Sequence, residues 1–210
     1  MKSRSGIFCI VLGVLLIAGS IALYCWNQAE DGAARASAEQ VLPQLVQQLQ
    51  EQAQSESDRN AQTLPQLQKP VELLTEEDKK MTEAEVNHDR YIGYISIPSL
   101  KKELPVMSTW SYAKLQVAPC RYSGSVRGED LVLMAHNYKS HFGPISRLKR
   151  GADVYFTDMD GKTYHYKVVG TDILAPNASD VMTAGEYDLT LFTCTYGGAN
   201  RVTVYCDFAK

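Results

Sequence analysis

Cys194 has the surroundings of a nucleophile. It closes the apolar run Leu189–Thr193 and is followed by Thr195-Tyr196-Gly197-Gly198, so a thiol stands where a strand gives way to a glycine-bearing loop. Reactive groups are commonly presented from such positions. A cysteine attacks as thiolate and needs a partner that takes and returns its proton. Of the four histidines, His88 falls in polar sequence and His165 lies mid-run in Thr163-Tyr164-His165-Tyr166. His136 ends the apolar run Leu131–Ala135, and His141 follows in the same loop. A strand end fixes a ring better than a loop tip, which ranks His136 ahead of His141. Arg201 lies seven residues after Cys194, across a loop containing Gly197 and Gly198. A loop that short makes the flanking strands antiparallel neighbours and brings the guanidinium beside the thiol, where it can hold a carbonyl oxygen as charge develops. A plain surface arginine fits the same spacing. The remaining cysteines of this region read differently. Alternation in Val202–Phe208 puts Cys206 on the apolar face, and Cys120 follows Pro119 in a loop, either inert or bridged to Cys206.

The elements that must position these groups are short strands. Apolar or alternating runs occur at 91–97, 131–135, 154–157, 163–170, 189–193 and 202–208, separated by turn-forming sequences. Met159-Asp160-Gly161-Lys162 between two runs is a hairpin signal, because Asp-Gly tolerates positive φ. Many strands with little helical periodicity between them point to a mostly β domain, a barrel or a sandwich. Leu148–Arg150 is read as at most one helical turn.

Upstream the physics changes. From Ile7 to Trp26 run twenty residues without a charge, about 30 Å of helix and the thickness of a hydrocarbon core. Lys2 and Arg4 precede the run and Glu30 and Asp31 follow it, which places residues 1–6 in the cytoplasm, a signal-anchor at 7–26 and the rest outside. The run exceeds the apolar core of a usual cleaved signal, and Tyr24 and Trp26 sit where interfacial anchors belong. Cys9 and Cys25 read as plain apolar residues of the span. Residues 27–89 read as a polar, glutamine-rich stalk with short helical stretches. There Leu42, Leu45, Val46 and Leu49 fall at helical spacing, too few for a sustained coiled coil, and Pro43 suits only a first turn. A spacer is the main reading of this segment, and a partner-binding or self-associating helix the other. Residues 90–210 form the folded domain. A net charge of −3 over 210 residues, 45% of them hydrophobic, gives no basis for nucleic-acid binding or for wholesale disorder.

Thr190-Leu191-Phe192-Thr193-Cys194 resembles the TLxTC signature of sortases, the cysteine transpeptidases of Gram-positive surfaces. Tyr91–Pro98, Leu104-Pro105-Val106, His136-Asn137 and Arg201 recur around it in family order, so the resemblance covers roughly residues 90–208. It implies a closed β-barrel of about eight strands behind the transmembrane helix and polar stalk, with Cys194, His136 and Arg201 converging at one groove. It further implies that Cys194 attacks the threonine carbonyl of an LPxTG-type C-terminal sorting motif, in the manner of a thiol protease, and forms a thioacyl enzyme. His136 would serve as acid and base. Arg201 would bind substrate and steady the oxyanion with the backbone beside Thr193. The acyl group would pass to an amine of a peptidoglycan precursor or a pilin lysine, anchoring a surface protein to the cell wall. No metal is required, although some members use calcium to shape the groove.

The sequence departs from the family pattern in places. Ala135 precedes the histidine where glycine is frequent. Only eighteen residues separate Gly170 from Leu189, too few for the helical insertion of class B. No Asp-Pro-aromatic lid precedes the barrel, as class C would have, and no second apolar span follows Phe208. The subclass and the sorting sequence therefore stay open. Two other readings fit the same residues: an extracytoplasmic cysteine peptidase or hydrolase on the same scaffold, and an anchored, non-enzymatic adhesion or assembly module with a structural Cys194.

Overall fold

The N-terminal apolar run is the first part of a much longer helix. In the computed structural model, which describes residues 4–59, 75, 77 and 79–209, α1 spans Arg4–Arg59 as one element of roughly 84 Å. Residues 1–3 and 60–74, which carry part of the expected cytoplasmic end and of the expected stalk, lie outside the described residues. Ile7 to Trp26 stand exposed along α1, the one described helix long and apolar enough to cross a membrane. Beyond them the helix is not a free spacer. Ala34, Ala38, Val41 and Leu45 are buried against the β domain, with Leu49 packed beside them. Only Leu45 and Leu49 of the stripe read from the sequence belong to this face, whose partner is the chain's own barrel. Pro43 lies inside the helix rather than in a first turn, which corrects the expectation of short helical stretches. A mid-helix proline costs about 3 kcal/mol. Burying Val41 and Leu45 returns about 1.5–3 kcal/mol each, enough to carry the helix through it.

The β domain begins earlier than residue 90. β1 (Ala84–Val86) pairs with β2 (Asp89–Ile97) in a hairpin whose two turn residues, Asn87 and His88, both have positive φ. His88 is therefore a turn residue of the sheet and not part of a stalk. There follow β3 (Lys102–Met107), the single turn α2 (Tyr112–Leu115), β4 (Cys120–Ser123), β5 (Leu131–Met134), β6 (Asp153–Asp158), β7 (Thr163–Leu174), the single turn α3 (Ser179–Met182), β8 (Leu189–Cys194) and β9 (Arg201–Phe208). The helical turn expected at Leu148–Arg150 lies slightly earlier, as a 3₁₀ turn over Gly143–Arg147. The expected hairpin joins β6 to β7 with Thr157 opposite Thr163 and Gly161 at φ 78°.

The strand order is β1-β2-β3-β4-β5-β8-β9-β7-β6, and β2 also pairs with β6. That pairing closes β2 to β9 into an eight-stranded barrel and leaves β1 as an outer extension. β2 turns the corner at a bulge between Tyr91 and Gly93, and Gly93 adopts φ 143°. A side chain there would collide with the Thr157 carbonyl on β6, so closure requires glycine. Ile92, Ile95, Leu131, Leu133, Phe156, Leu189, Leu191 and Val204 fill the core. Cys206 belongs to it, as strand alternation predicts, while Cys120 is buried in a separate cluster with Tyr91 and Met107. Both thiols are free. Burial pushes Cys120 up to about 12, so it is an inert apolar residue.

Candidate active site

Topology brings three strand ends to one pole of the barrel. β5 and β8 run parallel, with Met134 opposite Phe192. The ladder continues one step past β5: the Ala135 N–H donates to the Phe192 carbonyl at 3.2 Å, and the Thr193 hydroxyl donates to the Ala135 carbonyl at 2.8 Å. His136 and Cys194 are thus the next residues on two neighbouring parallel strands. β9 is antiparallel to β8, and Cys194 and Arg201 are direct partners in the register. The three residues that spacing selected are accordingly neighbours across β5, β8 and β9.

Their side chains are not yet engaged with one another. No hydrogen bond joins the Cys194 thiol to the His136 ring among the described residues. The His136 ring lies 4.9 Å from Tyr138, centroid to centroid. The Arg201 guanidinium donates to the carbonyls of Gly198 and Asn200 at 3.0 and 3.1 Å, bracing the loop after Cys194. Unliganded sites often show such loose geometry, which tightens around substrate. Thr193 is buried, and its hydroxyl is committed to locking β8 onto β5. Cys194 lines an open cavity of about 440 Å³ together with Thr193, Thr195, Asn137, Lys139 and Arg147. His136 and Arg201 flank this cavity without lining it. Tyr196, the residue after Thr195, stands almost fully exposed at its rim.

The loop that carries His136 is held by α1. The Asp31 carboxylate accepts from the Ser140 N–H at 2.7 Å and from the Ser140 hydroxyl at 2.6 Å, and Glu30 accepts from the Tyr138 hydroxyl at 3.4 Å. Burial acts to raise the Asp31 pKa, but the two Ser140 bonds, with Lys102 and His141 nearby, hold it below the usual carboxylate value. Burial also lowers the His136 pKa, against the pull of Glu30, and so favours a neutral ring. His141 is fully buried with both ring nitrogens unpartnered. It is a packing residue. Its pKa is lowered to about 4, chiefly by burial and next by His136. His165 is half-exposed on β7, stacked on Tyr155 and 2.6 Å from Asp153. Sequence reasoning missed Asp31, Ser140, Lys139 and Arg147. No spacing rule links Asp31 to a loop more than a hundred residues away, and the two cations carry no motif.

A family model described as a sortase domain matches residues 95–209, more than half of the chain. The chain belongs to the sortase family. Sortases are cysteine transpeptidases of the cell surface, and the strand-end cysteine, histidine and arginine lie within the matched sortase domain. The sortase A of Bacillus anthracis is 31% identical over 121 residues, which are 55% of this chain and 57% of that protein. This sortase therefore spans a little over half the length of the curated relative it matches. Two solved structures share the fold. Sortase C of Streptococcus pneumoniae superposes with a TM-score of 0.56 at 21% identity, over 81% of this chain and 97% of its own. A lid mutant of sortase A from Corynebacterium diphtheriae gives 0.52 at 23% identity, over 57% and 70%.

Proposed function

We propose that this chain is a membrane-anchored cysteine transpeptidase that cleaves an LPxTG-like sorting motif and passes the acyl group to a cell-wall precursor amine or a pilin lysine. One arrangement carries the reading: Cys194 paired with Arg201 across β8 and β9, beside His136 at the end of the parallel neighbour β5. The neutral His136 ring takes the Cys194 proton as sulfur bonds to the threonine carbonyl carbon. Arg201, released from its loop carbonyls, and the backbone beside Thr193 stabilise the oxyanion. His136 then protonates the leaving amine, the C–N bond breaks, and a thioester remains on Cys194. The incoming amine gives a proton to His136 as it attacks, and that proton returns to sulfur when the thioester opens. α1 serves as a single-pass anchor through residues 7–26, with the N-terminus cytoplasmic and the barrel outside.

The test uses the full chain in lipid nanodiscs, a pool of sorting peptides and intact-mass spectrometry, with and without an added amine. A Cys194 adduct that shifts onto the amine is expected, and Cys194→Ala is expected to lose turnover by at least a thousandfold with its melting temperature unchanged. Turnover retained in that variant would sink the mechanism. An adduct that reaches only water would favour the hydrolase. Protease protection of the N-terminus in sealed vesicles tests the orientation.

A further inference from the structure

A basic trough runs from the Cys194 cavity to the part of α1 that leaves the apolar run. Its middle is an open cavity of about 420 Å³ lined by Lys101, Lys102, Lys139, Arg147 and Lys149, with no carboxylate among its lining residues. Lys139 and Arg147 continue into the Cys194 cavity. Lys101, Lys102 and Lys139 continue the other way, into a cavity of about 490 Å³ against α1, where Arg35 joins them opposite Asp31, Glu39 and Glu103. Arg35 pairs with Glu39. The other five cations have no carboxylate within ion-pair distance among the described residues. Lys102 registers the crowding: burial lowers its pKa, Asp31 opposes this, and Arg35 and Lys139 repel the charged form.

The trough has a defined height above the apolar run. Gln28, Asp31 and Arg35 of α1 line its near cavity, two to nine residues after Trp26 and so roughly 3–14 Å further along the helix. At the other end of the docked helix, Gln48 donates to the Glu85 carbonyl on β1, roughly 33 Å past Trp26. The pole of the barrel that carries Lys139 and the histidine loop is therefore the pole nearest the apolar run. Lys139 lies at that pole, and Lys101, Lys102, Arg147 and Lys149 share its cavities.

We propose that Arg35, Lys101, Lys102, Lys139, Arg147 and Lys149 form a docking surface for the phosphate-bearing head groups of the anionic bilayer that α1 crosses, which holds the Cys194 cavity open at the membrane surface. The proposal rests on the reading of residues 7–26 as a membrane anchor. Juxtamembrane cations are attracted to anionic lipid, and the attraction fades beyond a Debye length. The near end of the trough, at Gln28 and Asp31, begins within that reach, and the rigid continuation of α1 into the docked helix fixes the barrel's distance from the bilayer.

The experiment places the full chain in nanodiscs of purely zwitterionic phosphatidylcholine or of phosphatidylcholine mixed with phosphatidylglycerol, and follows amine acylation of each lysine by mass spectrometry. Acylation of Lys101, Lys102, Lys139 and Lys149 is expected to slow at least threefold in the anionic discs, with Lys114 and Lys162 outside the trough unchanged. Salt at 1 M should abolish the difference, since the Debye length falls to about 3 Å. The double variant Lys101→Glu, Lys149→Glu should lose the protection of Lys102 and Lys139, while unchanged Lys114 and Lys162 rates report an intact fold. Equal rates in the two kinds of disc overturn the proposal. So does equal protection by inorganic diphosphate in zwitterionic discs, which would make the trough a site for soluble anions. Carbonate extraction separates this failure from that of the anchor: a chain that stays in the membrane with unprotected lysines loses the trough alone, and a chain that washes off loses the anchor itself.

Discussion

His141 is a buried imidazole whose two ring nitrogens have no hydrogen-bond partner among the described residues. The groups facing it are His136 on its own loop, Asp31 and the Ala34 backbone from α1, and Lys102 from β3; burial dominates and puts its pKa at about 4 against an ordinary 6.5. The unfolded chain therefore binds a proton in this interval that the folded one refuses, and stability rises with pH. The full contribution is present above pH 6.5 and is lost as pH falls toward 4, a difference of roughly 3 kcal/mol at about 1.4 kcal/mol per unit. His141→Leu removes this titration and leaves no buried nitrogen unpartnered. We expect its melting temperature to fall less than that of the wild type between pH 7 and pH 4.5, and parallel curves would refute the assignment. Glu30 acts on the other histidine in the opposite sense, since its charge raises the His136 pKa against burial. Glu30→Gln should move the acid limb of the pH–rate profile to lower pH, and a limb that stays put or moves up would remove Glu30 from the account.

At the scale of elements, the loop that carries His136 is held by a helix outside the barrel. Asp31→Ala removes both acceptor contacts to Ser140, each a charge-assisted bond of about 1.5–3 kcal/mol. We expect a roughly tenfold loss in kcat with KM little changed, restoration of most of it by Asp31→Asn, and unchanged alkylation of Cys194. An Asp31→Ala enzyme with wild-type kcat would show that Ser140 holds the loop unaided. This dependence was invisible in the sequence, where Asp31 reads as one more acid after the apolar run. What could be read there was local: the runs that end at His136 and Cys194 are short and largely apolar, the run after Arg201 alternates, and the short glycine loop dictates that the last two pair. β3 and β4 escaped because Pro105 interrupts the one and the other has four residues. β1 escaped because three residues carry no period, and its turn uses Asn-His where Asn-Gly would have been the signal. The docking face of α1 escaped because two of its four buried residues are alanines in a glutamine-rich stretch, so burial there depends on the complementary surface of the barrel.

For the whole molecule, α1 and the β-barrel are one mechanical piece. A domain boundary drawn at the start of the β sequence would cut α1 from a surface it covers, because Ala38 belongs to the main core and Val41 and Leu45 belong to the cluster around Tyr91, Met107 and Cys120. Residues 70–210 would expose the barrel side of that contact and release the Ser140 loop together. The two buried aliphatic side chains alone account for about 3–6 kcal/mol, which for a domain of this size corresponds to a melting temperature lower by on the order of 10 °C or more. Residues 28–210 keep the docked half of α1 without the apolar run, and are expected to match the full chain in melting temperature and, with both kept away from anionic lipid, in turnover. Melting and peptide turnover of the two truncations, side by side, therefore separate the roles of the helix. If 70–210 melts lower and turns over more slowly while 28–210 does neither, the docked half is part of the enzyme and the apolar half only its tether. If 70–210 matches 28–210 on both counts, the packing of α1 contributes nothing to the barrel and the histidine loop needs no support from it.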